Sequence, residues 1–140
     1  MHIVETKGIA YIKSVINGDV KINKANNGAY IIDVDGNAYI GKTTDAHFDE
    51  ITKDAYVEEA DSVYFGEVDG NATVSKVDYL KNTRRTAIGG SLIVSGKVNN
   101  LVLETPNTIY GVKEIILEEG ADMDKTMVDA HDALDFLSYK

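Results

Sequence analysis

The tripeptide Ala-Tyr-[Ile/Val] occurs four times in this chain: Ala10-Tyr11-Ile12, Ala29-Tyr30-Ile31, Ala38-Tyr39-Ile40 and Ala55-Tyr56-Val57. Residue frequencies alone supply about a tenth of a copy. Turn signals separate the copies, at Asn17-Gly18, Asn26-Asn27-Gly28 and Asp35-Gly36, and these recur every nine residues. A second repeat overlaps the first: Val34-Asp35-Gly36-Asn37-Ala38 returns as Val68-Asp69-Gly70-Asn71-Ala72. One small β-element is therefore used again and again.

Asn-Gly and Asp-Gly supply the positive φ angles of a type I′ hairpin. About seven strand residues plus a two-residue turn account for the nine-residue spacing. The expected fold is mainly β, an antiparallel meander closing into a sandwich or barrel. Further hairpins are expected at Ser62–Leu80, around Asp69-Gly70, and at Ser91–Glu104, around Asn99-Asn100. Val112–Glu119 reads as a last strand, and residues 44–61 fit a helical turn or a polar strand. From residue 122 to 138 the period changes. Met123, Met127, Ala130, Leu134 and Leu137 fall on one face of a C-terminal amphipathic helix, with Asp129, Asp132 and Asp135 opposite. The alternative is a β-solenoid, because the nine-residue period and the run Ser91–Glu119 resemble stacked coils. The Gly-Gly-x-Gly-x-Asp pattern of the nonapeptide roll is absent. The expectation is one domain over 1–140: hairpins and meander over 1–121, then the helix.

The formal charge is −9, with 23 acidic against 14 basic residues. Bare nucleic acid and anionic membranes are poor partners for such a surface. With no cysteine, disulfides, thiolate metal sites and cysteine nucleophiles are excluded. No apolar run approaches the ~18 residues that span a bilayer. The start, Met1-His2-Ile3-Val4-Glu5, does not read as a signal peptide, so the expected location is the cytoplasm or a virion.

Four candidate sites stand out. Asp33, Asp35 and Asn37, repeated as Glu67, Asp69 and Asn71, alternate oxygen ligands as a calcium loop does. Position twelve counted from Asp33 is Thr44 instead of glutamate, so hairpin turns explain the pattern without calcium. His47 and His131 lie near carboxylates but lack a His-Glu-x-x-His spacing. Arg84 and Arg85, the only arginines, sit beside Gly89-Gly90 and suit contact with a partner's acidic patch. Eight tyrosines with no tryptophan is a skewed aromatic set. Tyr11, Tyr30, Tyr39 and Tyr56 are expected on one sheet face, as cross-strand packing or as a contact surface.

These features point to a non-enzymatic module with no cofactor and no metal, acting as a homo-oligomer or with other proteins. Its expected contacts are the tyrosine face, Arg84 and Arg85, and the helix residues Met127, Leu134 and Leu137. A bacteriophage virion component, a capsid decoration or tail protein, is the first expectation. An acidic phage-encoded inhibitor covering a basic or nucleotide-binding host surface is the second. A hydrolase or lyase using His47 or His131 is the third.

Overall fold

A computed structural model describes residues 1–82, 88–103, 112–123 and 137–139. Its strands are β1 (His2–Ile3), β2 (Ile9–Ile12), β3 (Val20–Ala25), β4 (Gly28–Val34), β5 (Ala38–Ile51), β6 (Ala55–Val68), β7 (Ala72–Asn82), β8 (Ile88–Leu103), β9 (Val112–Leu117), β10 (Asp122–Met123) and β11 (Leu137–Tyr139). Among the described residues every strand pairing is parallel. The architecture is a β-solenoid, and the antiparallel sandwich or barrel is not formed.

Ala38 pairs with Ala55, and Ala55 with Ala72, so one coil takes 17 residues. Each coil has two sides. One side stacks β3, the first half of β5, the first half of β6 and the start of β7. The other stacks β2, β4 and the second halves of β5 and β6. Parallel neighbours need a crossover connection; here the opposite side of the coil is that crossover.

The nine-residue period is thus half a coil. Inward side chains follow in steps of 2, 3, 3, 2, 3 and 4: Ala38, Ile40, Thr43, Ala46, Phe48, Ile51, then Ala55. The next coil repeats them as Ala55, Val57, Ala60, Val63, Phe65 and Val68, all buried. The preceding coil supplies Val20, Ile22, Ala25, Ala29, Ile31 and Val34. Phe48 and Phe65 stack at 5.4 Å between ring centroids, and one continuous apolar cluster runs along the axis. Thr43, a polar residue in this set, gives its hydroxyl to the Asp45 carbonyl.

The turn dipeptides have a different job from the one expected. Gly36 does not adopt positive φ; among the described residues only Asn17, Gly28 and Gly120 do. A Cβ on Gly36 would collide with the backbone of Gly18 in the coil below, and one on Gly41 with the Asn23 carbonyl. Glycine stands at both places because the coil below comes too close for a side chain. The corner of residues 35–37 is pinned by a polar ladder. Asp19 Oδ1 accepts from the Asn37 N–H (2.8 Å), Asn37 Oδ1 from the Asp54 N–H (3.0 Å), Asp54 Oδ1 from the Asn71 N–H (2.8 Å), and Asn71 Oδ1 from the Ser91 N–H (2.8 Å).

Residues 44–61 are strand apart from the corner at 52–54, so no helical turn forms there. The expected hairpin at Ser91–Glu104 is replaced by the single strand β8, which runs through Asn99-Asn100. A helix over 122–138 is also not supported. Asp122–Met123 pairs with Lys97–Val98 and Leu137–Tyr139 with Ile115–Leu117, both as parallel strands; residues 124–136 lie outside the described residues. Among the described residues no helix is long and apolar enough to cross a membrane.

Phe65→Ala empties an inward position. It is expected to cost about 3–5 kcal/mol, against about 1 kcal/mol or less for the outward Thr73→Ala. Urea midpoints of both variants check the inward–outward assignment; equal losses would contradict it.

Candidate functional site: the first coil and the aromatic columns

Stacking at one-coil intervals turns outward residues into columns. The four tyrosines expected on one face fall on two. Tyr11 pairs with Tyr30 on one side of the solenoid, and Tyr39 with Tyr56 on the other. The first column continues through His47 and Tyr64, each 17 residues on. Ring centroids are 5.7 Å apart for Tyr30–His47 and 4.3 Å for His47–Tyr64. The membership of His47 and Tyr64 was hidden because the legible spacing was nine residues, not seventeen. This column walls a surface groove of about 380 Å³, with Asp45, Ser62 and Tyr79 opposite. Ser62 gives its hydroxyl to Asp45.

On the other side Tyr39 and Tyr56 stack at 5.2 Å. The Tyr39 hydroxyl donates to Glu58 at 2.8 Å, and Lys21 Nζ lies 5.3 Å from its ring centroid. Burial, then the hydrogen bond and negative charge of Glu58, push the Tyr39 phenol up to about 12.

Asn37 and Asn71 are committed to the corner ladder, and Asp35 accepts from the Thr52 hydroxyl at 3.1 Å. Asp33, Glu50 and Glu67 form an outward carboxylate column through their register. Among the described residues no group of three or more acidic or histidine side chains is placed to hold a metal. Arg84, Arg85, Met127, His131 and Leu134 lie outside the described residues. Leu137 lies in β11, paired with Ile115.

The first coil differs from the rest. Six large apolar side chains are exposed among the described residues, and five belong to it: Met1 (62%), Val4 (65%), Ile9 (58%), Tyr11 (62%) and Ile16 (79%). The sixth is Tyr79. The N–H and C=O of Thr6 both bond to the second coil, to the Lys24 carbonyl and the Asn26 N–H. Those of Val15 do likewise, to Asp33 and Asp35. Alternation along an extended chain turns the peptide groups flanking Thr6 and Val15 the other way. The outer rim of the coil is therefore an edge of backbone hydrogen-bonding groups, on a coil that also carries exposed apolar side chains. Sequence alone missed this because the residues carry no motif; only exposure marks them. No protein-family model, curated protein or solved structure matches this chain.

A raised phenol pKa favours the neutral ring in the folded state. The stabilisation linked to Tyr39 is present below the unfolded value of about 10 and is lost as pH rises through about 12. Absorbance titration should show one tyrosine ionising near pH 12. Tyr39→Phe should remove that step, and Glu58→Gln should move it toward 10 without a full return, since burial remains.

Proposed function

We propose that this protein is a non-enzymatic structural module that self-associates through its first coil. The observation that carries this reading is the concentration of exposed apolar side chains on the coil of residues 1–16, which also presents a backbone edge. Each interior coil hides both edges against neighbours, whereas in the described residues the first coil is paired along one edge, to the second. Covering the rim removes apolar surface from water, at about 25 cal/mol per Å², and pairs its peptide groups. Edges of this kind are templates for another chain. A capsid decoration or tail component is a setting that such a self-assembling module suits.

A second reading has its own support. Residues 54–75 carry six acidic side chains and no lysine or arginine, and Asp54, Glu58, Asp61 and Asp69 are exposed. Such a band suits a partner's basic surface, as an inhibitor would use it. Its expected signature is 1:1 binding to a cationic protein that weakens steeply with salt.

Self-association is tested by light scattering after size exclusion. The wild type is expected above its 15.3 kDa chain mass at tens of micromolar. Ile16→Asp, an exposed change outside the core, should raise the dissociation constant about tenfold or more, or about 1.4 kcal/mol, with an unchanged circular dichroism spectrum. A wild type that stays monomeric overturns the reading.

A further inference from the structure

Granting that the first coil is a contact surface, its partner remains to be identified, and coil length bears on that. We infer that the occupant is the first coil of a second copy, the two solenoids meeting end to end about a two-fold axis. The inference rests on the self-association reading above and adds the identity and orientation of the partner.

The first argument is outline. The first coil stacks on the second with an offset of 19 residues, from His2 to Lys21 and from Ile9 to Gly28. At the other end the offsets are longer: 24 from Ile88 to Val112, 25 from Lys97 to Asp122 and 22 from Ile115 to Leu137. Head-to-tail contact joins stretches of unequal sequence length. First coil on first coil sets a perimeter against its own equal. A two-fold contact is self-complementary by construction.

The second argument is charge. Residues 1–19 hold Lys7 and Lys13 against Glu5 and Asp19, a balanced set on a chain of net −9. Residues 104–140 hold nine acids against three lysines. Like charges facing one another across a contact are costly. The balanced coil is a surface that can face its own copy without that penalty.

The third argument is hydrogen bonding. A two-fold axis through the middle of β2 brings its outer edge against the same edge running the opposite way. That is antiparallel pairing, at least as favourable per residue as the parallel pairing inside the solenoid. Ile9 and Tyr11, more than half exposed, are then flanked by the partner's rim.

The chain lacks cysteine, so one introduced thiol reports the geometry. Tyr11→Cys and Lys13→Cys lie within or next to the β2 edge, on exposed side chains. Treatment of either full-length variant with a short bismaleimide is expected to give a covalent dimer as the main product. In a head-to-tail stack the same thiols are a whole solenoid apart. Along the eight-strand path of one side, at ~4.8 Å per strand, that is roughly 35 Å, beyond a short linker. Association by light scattering without cross-linking of either variant overturns the two-fold pairing and leaves self-association standing. An uncross-linked monomer in both experiments overturns both. A Thr73→Cys control, four coils along on the lateral face, should stay uncross-linked; a dimer there at equal yield would also overturn the pairing.

Discussion

In-register stacking of one coil on the next holds this structure together, and most local choices in the sequence follow from it. A parallel ladder at one-coil spacing places each residue over its counterpart 17 positions away through the central coils. An inward position must then tolerate its own kind above and below. Alanine at 38, 55 and 72 and phenylalanine at 48 and 65 satisfy that by forming columns of matched size. The glycine at 41 is forced by the same condition inside β5, where the coil below presents a carbonyl. Because each coil touches mainly its neighbours, stability accumulates coil by coil. A lost inward ring is felt in two interfaces at once.

The corners show how polar residues are fitted to this stacking. Asp19, Asn37, Asp54 and Asn71 occupy one corner, and each side chain accepts a backbone N–H from the next coil. Charged and neutral acceptors alternate, so carboxylates are two coils apart and like-charge repulsion is reduced while every hydrogen bond is kept. The repeat of Val34–Ala38 at Val68–Ala72 is a trace of that alternation. Its two copies are two coils apart, and Asp54 fills the coil between. The carboxylate column Asp33, Glu50 and Glu67 has no such alternation; the wet outer face screens it.

Much of this was legible in the residues, but at half the true period. The inward spacing of Ala38, Ile40 and Thr43 is the same as that of Ala46, Phe48 and Ile51, so the two sides of a coil resemble each other in spacing as closely as successive coils do. Nine residues fit a hairpin as well as a half-coil, and Asp35-Gly36 tipped the balance toward antiparallel strands. What separates the two is whether Gly36 uses positive φ or only lacks a Cβ, and the letter G reports neither. The tyrosine expectation failed for the same reason. Tyr30 and Tyr39, one half-coil apart, look like neighbours at a nine-residue period and lie on opposite sides at a seventeen-residue one. Leu137 fitted a helical stripe with Met123 at 3.6-residue spacing, yet both belong to strands whose partners, Ile115 and Val98, are fixed by coil length. Local periodicity carries no record of that distant pairing.

A solenoid also differs from a closed barrel in what it leaves at its ends. A barrel closes its ladder and has no free edge, so the antiparallel architecture would have located any contact surface on a face. Here the ladder runs along an axis, and the forces that join one coil to the next persist at the rim of the first. Ile16 and Tyr11 contribute nothing to the core, as their exposure shows. An intrinsic need for solubility would favour lysine or glutamate there, as edge strands commonly carry. Apolar residues exposed on that coil, on a chain otherwise rich in acids, are the feature on which the self-association proposal rests.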